Sequence, residues 1–409
     1  MTMEQSVGSH KRHSTESASP ALKTSPLYRF EKSFPYFREP GEIGTFSLDA
    51  DRQFHNDKRQ LKSYFPPKDP GHCRFDLKHG YEIMIHKDES VKEYLHTLLQ
   101  WIMESRDRFV VKKTPSKGSC SSGMTEDAVK TKSSDDLKFQ SLSTDFVCWR
   151  GLLTKLLCVP YEKRDGLMLA VIKFRGTYYM CEFETESKKL EKQQTTPRQE
   201  QMCAWGFKFE QYVVADKSSE RPDTSKPVNT NEGFCTIVRS RLESHSLVFG
   251  AEVDCEDPWR KQGNKYVELK TSRLIDTQRQ HENFCRFKLI KWWAQSFLVG
   301  IPVVICGFRD DNGVVHCLQN YPVKEMPALT KDSIRQPWKP NVCFNFLKDF
   351  LDFVKSNITE DNERCAHVFR WGPGKDMTYE RRDNDEEFNF LPQWFVSWDA
   401  WDKPVLADA

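Results

Sequence analysis

The chain has 409 residues, 38% hydrophobic and 12% aromatic, with 28 Phe, 12 Tyr and 11 Trp; that much aromatic area excludes a wholly disordered chain and could build one large domain or two ordinary ones. The 61 Lys and Arg against 59 Asp and Glu leave a net charge of +2, so any site for a polyanion must be a local patch and not a property of the whole surface. No apolar run approaches the ~20 residues of a membrane span, the first twenty residues lack a secretory core, and the 13 cysteines include no Cys-x-x-Cys pair, a pattern that disfavours zinc ribbons and redox motifs and fits reduced thiols in an intracellular protein.

Residues 1–26 are rich in Ser, Thr, Lys and His and are expected to be a disordered tail. Residues 27–405 are expected to form a single domain interrupted by a polar insertion at about 112–140. A helix is expected over Glu89–Arg106, where Val91, Tyr94, Leu98, Trp101 and Ile102 recur at helical spacing. Leu167–Phe174 and Thr177–Phe183 alternate as a hairpin turned at Arg175-Gly176. A second helix spans Glu200–Asp216, with Met202, Trp205, Phe209 and Val213 as its apolar stripe. Glu210 lies on a neighbouring face, one turn after Gly206; a helical glycine costs about 1 kcal/mol against alanine and is expected to allow a close approach of another backbone. A long helix is expected from His281 to Val299, capped by Gly300, with Phe284, Phe287, Ile290, Ala294, Phe297 and Leu298 facing the core. Trp292 and Trp293 are read as core, and Lys288, Lys291 and Gln295 as one polar face. Ile301–Phe308 then turns through Asp311-Asn312-Gly313 into Val314–Leu318. Helices and strands interleave without a βαβ rhythm, so the fold class is α+β, a mixed sheet core with flanking helices.

Two acidic patterns carry the chemistry. In Gly250–Cys255, Glu252 and Asp254 are separated by one apolar residue; on a strand they project from one face, about 6.6 Å apart along the backbone. Two carboxylates so placed either share a divalent cation or repel until one holds a proton. Taken alone, a Glu-x-Asp pair is common and reads more simply as a solvated strand edge. Tyr266–Lys270 alternates cleanly, with Val267 and Leu269 toward the core and Glu268 and Lys270 on the opposite face. A carboxylate and an ammonium two residues apart, just after an acidic strand, form the Glu-x-Lys pattern of metal-dependent nucleases, in which the lysine helps activate water or neutralises phosphate charge. An ion pair between Glu268 and Lys270 on a solvated face is the plain alternative.

Five ordered segments resemble the decapping exoribonuclease (DXO) family: Trp149-Arg150-Gly151 with Leu153–Leu156, Gly206–Tyr212, Glu252–Cys255, Tyr266–Ser272 and Leu289–Phe297. Shorter matches flank them at Phe46–Ala50, Pro160–Glu162, Val228–Asn231, Gly307–Arg309 and Phe390–Pro392, so the resemblance extends from about residue 27 to 398. It implies two packed mixed β-sheets flanked by helices, and a metal-dependent catalytic domain that acts on single-stranded RNA 5′ ends. The activities it implies are removal of incomplete or non-standard caps (unmethylated guanosine, nicotinamide-adenine dinucleotide), release of pyrophosphate from 5′-triphosphate RNA, and 5′-to-3′ degradation. It also implies metal ligation by Glu210, Glu252, Asp254, Glu268 and the Leu269 carbonyl, with two Mg²⁺ ions or Mn²⁺ in their place, hard cations that take oxygen ligands. Arg150, Glu210, Lys270 and Gln295 fall at its substrate contacts, and Glu252, Asp254, Glu268 and Lys270 at its catalytic positions. Lys155, Lys208, Lys288 and Arg309 are expected to extend a basic groove from Arg150 and Lys270. Some members bind a larger 5′-to-3′ exoribonuclease; a nuclear monomer, with cytoplasm as the alternative location and no membrane association, is the remaining expectation. Two rivals stay open, a non-catalytic RNA-end-binding or partner-stabilising member of the same family and a DNA nuclease with the same Glu-x-Lys site.

Overall fold

The computed structural model of the chain describes residues 20–109 and 142–397. The expectations for residues 1–19, for the 112–140 insertion and for the end beyond 397 lie outside them. Eleven strands of four or more residues run, in chain order, as β1 (Phe37–Leu48), β2 (Phe146–Trp149), β3 (Leu167–Phe174), β4 (Thr177–Phe183), β5 (Gly233–Leu242), β6 (His245–Glu252), β7 (Tyr266–Arg273), β8 (Val303–Arg309), β9 (Val314–Pro322), β10 (Cys365–Trp371) and β11 (Met377–Asp383). The helices used below are α1 (His96–Glu104), α2 (Arg150–Cys158), α3 (Glu186–Gln193), α4 (Pro197–Val213), α5 (Gln278–Asn283), α6 (Leu289–Val299), α7 (Met326–Lys331) and α8 (Pro340–Asn357). Among the described residues no helix is long and apolar enough to cross a membrane.

The strands form two mixed sheets. The larger is ordered Ala21–Leu22, β11, β10, β3, β4, β2, β6, β5, β1, Phe54–His55, with β2 parallel to both β4 and β6. The smaller runs Phe75–Asp76, β9, β8, β7, Cys255–Glu256, Ser63–Tyr64, Val214–Ala215, with β7 parallel to β8. One apolar cluster joins a face of each sheet through α2, α6 and α8, so the two sheets share a core. A second cluster sets α1 and the Phe388–Phe395 segment on the other face of the large sheet, and a third sets α4 on the other face of the small one.

The β3–β4 hairpin turns where the sequence places it, because Arg175 (φ 49°) and Gly176 (φ 78°) take the two positive φ values that a two-residue turn needs. The β8–β9 hairpin likewise turns at Gly313 (φ 79°). Four expectations are corrected. Ala21–Leu22 pairs with β11, so the tail cannot extend to residue 26. The first helix starts at His96 and not Glu89, because Tyr94 holds φ 43° and Val91 is exposed. Met202 is exposed and outside the α4 core stripe, while Trp205, Phe209 and Val213 are buried as expected. The helix from His281 is interrupted by a π-turn at Phe284–Lys288 between α5 and α6; the wider turn shifts the helical phase and leaves Phe287 exposed, although Phe284, Ile290, Trp292 and Trp293 are buried.

Candidate active site

The acidic segments meet where the two sheets join. β6 ends at Glu252, the chain enters the small sheet as Cys255–Glu256 after a link of two residues, and Asp254 is the second of them. Glu252 and Asp254 therefore do not share one strand, as the sequence spacing suggested; the chain leaves the large sheet between Glu252 and Cys255, with Asp254 beside β7 and Glu252 near enough to act on its charge. Glu268 is the deepest acid, 1% exposed on β7. Its Oε2 accepts a hydrogen bond from Arg150 Nη1 (3.2 Å) and its Oε1 accepts from Gln295 Nε2 (2.6 Å) and Lys270 Nζ. Three expected site residues from β7, α2 and α6 thus converge on one carboxylate, and the Glu268–Lys270 pair is a buried one.

Asp254 Oδ2 accepts from the Leu269 backbone N–H at 2.6 Å. On β7 the Cys255–Glu256 strand reaches only Tyr266 and Val267, so the β7 edge is open at Leu269. Along a strand the N–H and C=O of one residue point the same way, and the Leu269 carbonyl therefore also faces the Asp254 side. Glu210 sits in the last turn of α4. It is raised well above the usual carboxylate range, by burial first and then by Asp254 and Glu252. Burial, then Glu268, pushes Asp254 up to about 7. For Glu268, burial works in the same upward direction, but Lys270 and Arg150 outweigh it and hold the group below its ordinary value.

The four acids influence one another, yet among the described residues no three His, Cys, Asp or Glu side chains are arranged to hold a metal ion. The Glu268 oxygens are engaged by Arg150, Lys270 and Gln295, and Asp254 Oδ2 by a backbone amide. The donor set still suits a hard divalent cation. Four carboxylates face two cations, Arg150 and Lys270, and the excess negative charge adds to burial in raising Asp254 and Glu210.

The chain matches the family described as RAI1-like PD-(D/E)XK nuclease over residues 38–396. It belongs to that family. The human decapping and exoribonuclease protein is 40% identical over 94% of this chain and 91% of its own. The decapping nuclease RAI1 of Emericella nidulans is 32% identical over 82% of this chain and 86% of its own. A solved structure of Candida albicans Rai1, 22% identical, covers 93% of this chain and 100% of its own with a TM-score of 0.75, which agrees with the two-sheet fold. As a member of the RAI1-like nuclease family the chain is a hydrolase.

Cavities surround the acids. One of about 520 Å³ is bordered by Glu210, Glu252 and Asp254. A second, of about 910 Å³, reaches Glu252 between Arg52, Glu93, Trp149 and Phe207, and a third of about 750 Å³ is lined by Arg150, Lys155, Lys291 and Gln295. Gly250 makes the wall possible: a Cβ there would lie 2.5 Å from the Trp149 ring, whose indole N–H donates to the Tyr94 carbonyl at 2.8 Å.

Two other expectations fail at this level. A Cβ on Gly206 would meet nothing within 4 Å, so no backbone packs there. Lys208 leaves the proposed basic groove: it is buried, donating to Gln211 (2.7 Å) and the Thr224 carbonyl (3.1 Å). Arg309 stacks 4.4 Å over Trp205, and Lys288 bonds the Ser272 hydroxyl at 3.0 Å. Lys155 pairs with Glu182 on the cavity wall, and Lys291 pairs with Glu162 at 2.9 Å. Sequence reasoning missed Arg52, which grips Glu93 with two 2.9 Å bonds beside the Glu252 cavity, and Lys87, which adds a third at 2.6 Å. The Phe46–Ala50 match flags this neighbourhood, but no periodicity links residues 41 apart in the chain.

Proposed function

We propose that the chain is a divalent-cation-dependent decapping exoribonuclease that acts on the 5′ ends of single-stranded RNA. It opens unmethylated-guanosine and nicotinamide-adenine dinucleotide caps, releases pyrophosphate from triphosphate ends, and shortens the exposed strand from its 5′ end. The observation that carries this reading is the convergence of Arg150, Lys270 and Gln295 on Glu268, with Glu210, Glu252 and Asp254 close enough to perturb one another. The two curated relatives are named for decapping, the human one also for exoribonuclease activity, and the Candida Rai1 structure is a complex with pU5 and Mn²⁺.

Glu210, Glu252, Asp254, Glu268 and the Leu269 carbonyl would hold the cation, preferentially Mg²⁺, as a pair of ions. Bound there, it would supply a more acidic water and charge neutralisation at phosphorus. Arg150 and Lys270 place fixed positive charge beside the reacting phosphate, where a buried site makes it effective. Gln295 fixes the Glu268 carboxylate and is positioned to give an amide N–H to a phosphate oxygen. Trp149 and Phe207 offer faces against which the first bases stack, and Arg52 borders the same cavity.

Purified protein is incubated with triphosphate, unmethylated-cap and dinucleotide-capped RNA, and with single-stranded DNA, with Mg²⁺, with Mn²⁺ and with chelator. Metal-dependent release of the cap group from RNA, lost in Glu252→Ala and Asp254→Ala while the circular dichroism spectrum is kept, supports the reading. Turnover retained in either variant refutes the ligand assignment. RNA binding without turnover under any metal makes the chain a passive RNA-end binder.

A further inference from the structure

The cavities beside Trp149-Arg150-Gly151 meet at one side chain. Lys192 borders the 910 Å³ cavity that reaches Glu252, the 750 Å³ cavity that holds Arg150 and Gln295, and a cavity of about 560 Å³ that contains Trp149 and Gly151. Among the described residues it is the one that borders all three. It is carried by α3, near that helix's C-terminal end.

That helix has no apolar anchor. From Glu186 to Cys203 no side chain is buried, and Leu190 is 55% exposed. The ties within and beside α3 are polar: Thr185 caps it, Lys188 pairs with Glu191 at 2.6 Å and Lys189 with Glu186 at 2.8 Å. Among the described residues of α3, Lys192 is the one whose ion pairs leave the helix, to Glu184 and, at 3.7 Å, to Glu89. Glu184 borders the second and third of these cavities, and Glu89 the first and third. An ammonium held by two carboxylates at half exposure gains little from the pairing, so a phosphate group bound between these cavities can replace them at small cost. Segments with few buried contacts are also those that move most readily.

We infer that Lys192 is a contact for the RNA backbone, at the point where the strand passes from the cavity that reaches Glu252 to the cavity that holds Arg150, with α3 the strap that carries it. The inference rests on the reading of the site as an RNA 5′-end hydrolase. A phosphate contact of this kind positions the strand and carries no base preference.

The test is binding of 5′-phosphorylated oligouridylate, measured in chelator across a salt series, with turnover measured separately in Mg²⁺. Each phosphate neutralised on a single strand contributes about 0.7 to the slope of log affinity against log salt. Lys192→Ala therefore lowers that slope by about 0.7 and weakens binding about fivefold near 0.1 M salt. It also raises KM while leaving kcat on saturating substrate unchanged. Lys192→Arg restores both, and Lys192→Glu weakens binding further. A residue that only tethers α3 would leave the slope of Lys192→Ala equal to the parent's, and that result overturns the inference. Failure of the parent to bind oligouridylate with any salt dependence would instead overturn the RNA reading on which it rests.

Discussion

Asp254→Asn is expected to make the cation-free protein more stable while abolishing its activity. Burial and the nearby Glu268 move the Asp254 carboxyl from its ordinary 3.8 to about 7 in the folded chain. At about 1.4 kcal/mol for each tenfold change in proton affinity, that corresponds to roughly 4 kcal/mol of destabilisation above pH 7. The sign follows from proton linkage: between about pH 4 and pH 7 the folded state holds a proton that the unfolded chain has released, so stability falls as pH rises through that window. The amide removes the charge and keeps an oxygen for the Leu269 N–H, a bond worth ~1 kcal/mol. The expected gain is about 2–4 kcal/mol at pH 8 and close to nothing at pH 4, a large effect against the roughly 5–15 kcal/mol typical of whole domains. Urea unfolding in chelator at both pH values measures it. Mn²⁺ added at about 100 times its dissociation constant would stabilise the parent by roughly 2.7 kcal/mol and the variant by far less. A variant no more stable than its parent at pH 8 would refute the electrostatic account of the acidic cluster.

Lys270→Ala is expected to lower kcat by about a hundredfold or more, the scale of losing a fixed charge at the reacting centre, with a smaller change in RNA affinity; equal losses in both would mark Lys270 as a substrate grip. Gly307→Ala places a Cβ 2.5 Å from the Phe209 ring on the helix that carries Glu210. Overpacking of this kind costs about 1–3 kcal/mol, and thermal unfolding with activity assays should show a lower Tm together with weaker metal binding. Glu93 is held down to about 2, first by Arg52 and then by Lys87 despite burial. Its contribution to stability is present above about pH 4.5 and is lost as pH falls through about 2, so the stability difference between the parent and Glu93→Gln should shrink across that interval in acid titrations followed by fluorescence.

Local chemistry was legible in the sequence wherever neighbouring residues decide it. Two positive-φ residues set the β3–β4 turn, and alternation separated Val267 and Leu269 from Glu268 and Lys270. The Glu-x-Asp and Glu-x-Lys segments, with Arg150 and Gln295, contained the residues that gather at the site. Periodicity could not register the π-turn that exposes Phe287, because one wide turn leaves the composition of the helix unchanged. It also could not show that the chain changes sheet between Glu252 and Cys255, or that Lys208 is buried away from the groove.

What the sequence determined by itself was the set of charged groups and the elements that carry them, since both depend on residue type and short-range spacing. Which charge meets which was decided only by the tertiary structure. The pairing of Arg52 with Glu93, the three donors on Glu268, and the place of Lys192 between three cavities all join residues distant in the chain or depend on cavities that several elements enclose. Their energies come from burial and from distances of a few ångströms, quantities that exist only once the two sheets have closed on their shared core.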